Sequence, residues 1–176
     1  MAKPFLGAIA AVTTKLRDVL EDSEIGLPSV LPDVTVTTKP PEHARKGVKG
    51  NQANIYLYQL MANAQYRNAP DKQGQFPIAL DMFYLFTFYG GEDNAVFGQK
   101  LMERTMQIFH DAPGIEVKLM QRLVKDGEPL VERLRVIPQY YTLDELSKFW
   151  TSAGAGFRLS LIYMITVLLI EPPSNL

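Results

Sequence analysis

Apolar residues in the first twenty positions recur at Phe5, Ile9, Val12, Leu16 and Val19, with Lys15, Arg17 and Asp18 between them. That spacing predicts an amphipathic helix over residues 5–20, with Pro4 in the first turn, where no backbone donor is needed. Lys3 followed by residues 5–12 imitates a secretory leader, with Ala8-Ile9-Ala10 as a mock cleavage site. A leader has no reason to keep helical period past charged residues, so a docked helix is the expectation. Glu21-Asp22-Ser23 closes it, and Pro28 and Pro32 predict an extended connector. The β-branched run 34–38 reads as a short strand.

Further on, the period changes. Residues 54–60 alternate Ile55/Leu57 with Tyr56/Tyr58/Leu60 and predict a strand. A polar turn region at 67–74, containing Pro70 and Gly74, gives a hairpin-like connection to residues 78–89. That second run is nearly continuous apolar, rich in aromatics and broken only by Asp81 and Thr87, which predicts a strand buried on both faces. Gly90-Gly91 ends it, and Glu92, Asp93 and Asn94 offer caps for a helix to Phe109 striped by Phe97, Leu101, Met102, Ile108 and Phe109. Residues 115–124 fit either a short helix or a strand. Residues 130–137 alternate charged and apolar and predict a strand near a sheet edge.

Thr142-Leu143-Asp144-Glu145 forms a capping box, opening a helix with Leu143, Leu146, Phe149 and Trp150 on one side and Gly154 and Gly156 at its end. The final strand places Leu159, Leu161, Tyr163, Ile165, Val167 and Leu169 on one face. The other mixes Arg158, Ser160 and Thr166 with Ile162, Met164 and Leu168. The run 159–170 falls short of the roughly 20 residues a membrane helix needs. Together the segments predict an α+β fold, one domain over residues 1–176. Its mixed or antiparallel sheet of about four to five strands is flanked by about three helices.

Composition adds exclusions. The chain has 176 residues, enough for a core that needs no disulfide or metal. It has no cysteine, so thiolate nucleophiles and cysteine metal sites are excluded, and a cytosolic place of synthesis fits. A net charge of −1 gives no general attraction to nucleic acid or anionic lipid.

Candidate chemistry is sparse. His43 lies in a basic loop, and His110 ends the second helix, where the helix dipole accounts for it. Their separation lacks metal-ligand spacing. Gly47-Val48-Lys49-Gly50 lacks the phosphate-loop spacing, and Gly154-Ala155-Gly156 precedes a strand rather than joining strand to helix. The Gly90–Asn94 turn could offer helix amides to an anion, but Glu92 and Asp93 would repel it. Asp81 is the conspicuous carboxylate; Arg67 and Arg158 are its candidate partners in a salt bridge or subunit contact. Glu103/Arg104 and Glu132/Arg133/Arg135 read as solvated faces. Lys39, Arg45, Lys46 and Lys49 make residues 39–50 locally basic, which reads as a flexible arm against an acidic protein neighbour in preference to a nucleic-acid site. No catalytic, cofactor-binding or metal residues are assigned, and no enzyme is expected.

Several segments together carry a resemblance: Asn54-Ile-Tyr-Leu-Tyr58, Arg67, and Pro77-Ile-Ala-Leu-Asp-Met-Phe-Tyr-Leu-Phe-Thr-Phe-Tyr89. It continues through Phe97-Gly98, His110-Asp-Ala-Pro113, Leu143-Asp-Glu-Leu-Ser-Lys-Phe-Trp150 and Phe157-Arg-Leu-Ser-Leu-Ile-Tyr163. In that order they resemble the tube-cap, or tail-terminator, family of extracellular contractile injection systems. These are phage-tail-like particles typified by the Photorhabdus virulence cassette and the antifeeding prophage. The resemblance runs from the first helix to Pro172 and implies a tail-terminator-like fold. It further implies a structural ring of identical subunits, expected to be a hexamer, that ends the inner tube and receives the last sheath layer. Partners would be the chain itself, the inner tube protein and the sheath protein, with no membrane, no nucleic acid and no cofactor. Assembly in the cytoplasm would precede incorporation into a released or intracellular particle. Some relatives carry C-terminal extensions, whose functions are not transferred. The residues at 39–50 and 67–74 are the loops expected to touch neighbours. The terminator of a contractile bacteriophage tail and a small anion- or nucleotide-binding protein are the alternatives.

Overall fold

A computed structural model describes residues 8–64, 78–111, 114–123 and 129–170. Six strands form one mixed sheet: β1 (Thr35–Thr37), β2 (Gln52–Ala62), β3 (Ile78–Tyr89), β4 (Gly114–Leu123), β5 (Pro129–Gln139) and β6 (Ser160–Ile170). Three helices, α1 (Ala8–Glu21), α2 (Ala95–Asp111) and α3 (Leu143–Ser152), accompany it. The order across the sheet is β1-β2-β3-β6-β5-β4, with β1 parallel to β2 and every other pair antiparallel. The α+β class stands, with six strands rather than four to five.

The added strand is β4, the segment whose pattern fitted helix or strand. It takes the edge and pairs with the first part of β5, from Pro129 to Arg135, while Arg135 to Gln139 pair with β6, so β5 lies next to the edge and links β4 to the rest of the sheet. The bounds of β3 match those read from its apolar run, and both of its faces are covered. Met82, Tyr84, Phe86 and Phe88 join α1 and α2 in the main core, while Leu85 turns the other way and packs with Trp150 of α3 and Ile162 of β6. Phe86, Phe109 and Tyr163 meet edge to face with centroids 5.0–5.5 Å apart. Such contacts favour one packing of strand and helix beyond area burial alone.

Helix α1 buries Val12, Leu16 and Leu20 and packs against β1 and β2 as well as β4 at the opposite edge. One helix can touch both ends of a six-stranded sheet only if the sheet curls around it. Thr13 Oγ1 and the Tyr84 hydroxyl lie 2.8 Å apart and tie that helix to the central strand. The beginning of the helix expected at Phe5 and the turn expected at 67–74 lie outside the described residues.

Local expectations divide on identifiable physics. The capping box is present: Glu145 N donates to Thr142 Oγ1 at 3.3 Å, and Thr142 N donates to Glu145 Oε2 at 2.8 Å. Leu143, however, is the first helical residue and points away from the sheet, 70% exposed, so it is not on the buried side. Leu159 likewise precedes β6 and stays exposed. Asn94 alone caps α2, its Oδ1 accepting from Val96 N at 3.0 Å. Glu92 and Asp93 instead adopt left-handed conformations (φ 54° and 57°) in a single 3-10 turn over Gly91–Asp93. The connector around Pro28 is a 3-10 turn, Leu27–Ser29, because proline's fixed φ suits its first positions.

Candidate interaction surface

The basic loop is pinned rather than flexible. Gln52 and Asn54, buried on β2, turn their amides toward it. Gln52 Nε2 donates to Thr37 Oγ1 and to Ala44 O, both at 2.7 Å. Thr37 Oγ1 donates onward to Asn54 Oδ1 at 2.7 Å, and Asn54 also bonds the backbone of Lys39 in both directions. Arg45 spends its guanidinium on Gly50 O, Lys49 O and Gln52 Oε1, and Lys39 Nζ donates to Lys46 O. Two of the four cations therefore hold the loop, leaving Lys46 and Lys49 facing solvent. An amide network satisfied at this level stiffens a segment.

Asp81 lies half-buried on β3, where its Oδ1 accepts from Asn63 Nδ2 at 2.8 Å and from Thr166 Oγ1 at 2.7 Å. Register explains the second bond, since Asp81 stands opposite Thr166 of β6. Of the expected arginine partners, Arg67 lies outside the described residues and Arg158 is elsewhere. Its guanidinium carbon sits 5.5 Å from the Tyr89 ring centroid, and that of Arg45 lies 5.2 Å from the same ring. His43 and His110 occupy separate exposed positions, on the loop and at the end of α2. No group of three or more metal-ligating side chains exists among the described residues.

Exposed apolar side chains gather instead at one end of the sheet. Beyond Gln139 strand β5 leaves β6, and the chain turns through Tyr140 and Tyr141 into α3. Tyr140 is 93% exposed; Tyr58 donates to the Tyr141 hydroxyl at 3.0 Å and steadies the turn. Burial pushes the Tyr58 phenol up, so the bond stays protonated at any physiological pH. A cleft of about 490 Å³ opens where β5 departs, floored by Phe109 and Tyr163 and rimmed by His110, Tyr140 and Tyr141. Next to it, Phe157, Arg158 and Leu159 form the lead into β6 and line a second hollow with Met102 of α2. Sequence periodicity passed over Tyr140, Tyr141 and Phe157 because they flank the regular elements, and it placed Leu159 within the last strand, which begins one residue later. The usable signals were Leu143 at a helix's first position and apolar residues directly after Gly154 and Gly156.

This surface combines aromatic, aliphatic and arginine side chains, the composition of protein interfaces rather than of catalytic pockets. The Pvc16 N-terminal domain model matches residues 11–175. The chain belongs to this family. No curated protein sequence matches it. Among solved structures, the chain is similar to the PVC sheath/tube terminator, seen by cryo-EM in the extended state of an extracellular contractile injection system. The TM-score is 0.62 at 20% identity, covering 94% of this chain and 57% of that one. It is also similar to the tube-terminating cap of the anti-feeding prophage, with a TM-score of 0.54 at 19% identity, covering 96% and 58% respectively. The chain thus spans less than three-fifths of either solved protein, and the likeness is one of fold. Both neighbours terminate the tube of the particle to which they belong.

Proposed function

We propose that this chain is a structural cap, the terminator of the inner tube of a phage-tail-like contractile injection system. The observation carrying this reading is the fold likeness to a sheath/tube terminator over nearly the whole chain, reinforced by family membership. Its partners in this account are further copies of itself in a ring, a hexamer by expectation, together with the inner tube protein and the sheath protein. Assembly takes place in the cytoplasm, before the particle is released or retained. The work is mechanical: a stiff curled sheet presents a fixed surface that stops tube growth, and no catalytic group or cofactor takes part. The pinned 39–50 loop and the apolar end of the sheet suit this task, because a stopper has to hold its shape under load.

The test is deletion of the gene from its cluster, followed by electron microscopy of the particles. Tubes of uncontrolled length or loose sheath ends, restored by expressing the chain in trans, support the reading. Particles with normal capped ends in its absence overturn it. Neighbouring capsid and terminase genes would instead identify the bacteriophage-tail version of the same role.

A further inference from the structure

Two surface patches on opposite flanks of α2 are complementary. On one flank, Met102 faces Phe157, Arg158 and Leu159 across the hollow described above. On the other, Arg104 Nη2 donates to the carbonyl of Ile25 at 2.9 Å and holds the segment that follows α1. Met102 and Arg104 are two residues apart, so they point about 200° apart around the helix. The first patch carries one cation, Arg158, in a hollow that Asp93 also lines without pairing to it. Arg158 rests on the buried Tyr89 ring and makes no hydrogen bond or ion pair with any described residue, and Arg45 lies over the same ring. About half of each of the Phe157 and Leu159 side chains is exposed beside it.

The second patch has the opposite character. Helix α1 ends on Glu21 with no basic residue in its last turn, and Asp22 and Glu24 follow. The negative end of the helix dipole is therefore reinforced, and a cation is favoured there. Asp22 is held by the amides of Ile25 and Glu24, which keep its carboxyl below the usual range, while the Glu24 carboxylate has no partner among the described residues. Ile25 is 55% exposed and Val30 is exposed near it. Glu21 is paired with Arg17 at 3.6 Å and Arg104 reaches the same segment, so the unpaired charge on each patch is a single one, Arg158 on the first and Glu24 on the second, and the two are opposite.

We propose that a second copy of this chain docks its Glu24–Val30 segment onto the Phe157–Arg158–Leu159 patch, head to tail. Glu24 of one copy meets Arg158 of the next, and Ile25 and Val30 cover Phe157 and Leu159. Because the patches differ and lie on opposite flanks, each copy donates one and receives one, a head-to-tail contact that closes a ring when the rotation between copies closes. This contact rests on the cap reading for the expectation of a closed ring, and it supplies that reading with an interface.

The absence of cysteine allows a direct test. Ile25→Cys and Leu159→Cys in one chain should give, on oxidation, a ladder of covalent oligomers ending in a closed species, while each single variant stays monomeric. Arg158→Glu should weaken self-association by roughly tenfold or more, and adding Glu24→Arg to the same chain should restore it. All four positions are exposed, and circular dichroism verifies folding. A double-cysteine chain that stays monomeric, single variants that dimerise, or a charge swap that fails to rescue overturns the contact. Tube capping is scored on the same preparations. Capped tubes without this cross-link refute the contact and leave the cap reading standing; cross-linked rings that never occupy tube ends refute the cap reading alone.

Discussion

Helix α3 holds to the sheet chiefly through Trp150, which makes its truncation the sharpest probe of the second layer. Trp150 is 2% exposed and packs on Leu85 and Ile162, with Phe149 edge to face at 6.0 Å. A tryptophan buries about 200 Å², which at about 25 cal/mol per Å² is about 5 kcal/mol. A compact unfolded chain lowers this by about a quarter. One feature works against the gain: Nε1 is buried and makes no hydrogen bond among the described residues. An orphaned buried donor costs about 1–3 kcal/mol. The net value of the side chain is then about 1–3 kcal/mol, before adding the cavity its loss leaves behind. Trp150→Ala should therefore cost about 3–4 kcal/mol. Trp150→Phe keeps most of the ring burial and removes the orphan, so it should cost less than about 1 kcal/mol. Urea unfolding followed by far-ultraviolet circular dichroism measures both, since the chain's single tryptophan is the residue replaced. Equal losses in the two variants, or a loss under about 1 kcal/mol for alanine, would refute the reasoning that ring burial outweighs the unpaired donor.

Three further outcomes follow from local chemistry. Thr142→Ala removes the capping box and should lower stability by about 1 kcal/mol with a visible loss of helix signal. The box also holds the Glu145 carboxyl below its usual pKa through the Thr142 amide and hydroxyl, so its contribution is present above the unfolded glutamate value and fades as pH falls through the folded one. An acid titration should show that limb in the parent chain and a weaker one in Thr142→Ala. Burial raises the Tyr84 phenol above the ordinary tyrosine value, opposed by its bond to Thr13, so the stability it confers is intact below about pH 10 and is lost as pH rises beyond. Tyr84→Phe should flatten that alkaline limb in thermal melts; an unchanged limb would contradict the assignment. A methyl group on Gly90 would overlap the backbone carbonyl of Asn94, so Gly90→Ala should cost more than about 3 kcal/mol, whereas Gly154→Ala, strained by φ +64° but meeting nothing, should cost about 1 kcal/mol.

Those contrasts also explain what the sequence made legible. The period of β3, the stripe of α2 and the capping box of α3 are local properties, and each appeared where its residues put it. Pairing is not local. That β6 inserts between β3 and β5, or that residues 114–123 become an edge strand, depends on partners far along the chain. The partners of Asp81 are likewise set by register, which places Thr166 across from it and leaves Arg158 at the far end on Tyr89. The stiffness of the 39–50 loop was hidden for the same reason, because its donors and acceptors are amides of a strand not yet known to lie beneath it. The interaction surface was least visible: periodicity passed over Tyr140 and Phe157 and counted Leu143 and Leu159 with apolar faces from which the structure leaves them exposed.

The central claim, that the chain terminates an inner tube, is tested most directly by electron microscopy of tubes polymerised with and without the purified protein. The account predicts density for a ring of this chain at one end of each tube and an end to growth there. Tubes that elongate unchanged and carry no ring at either end would contradict it.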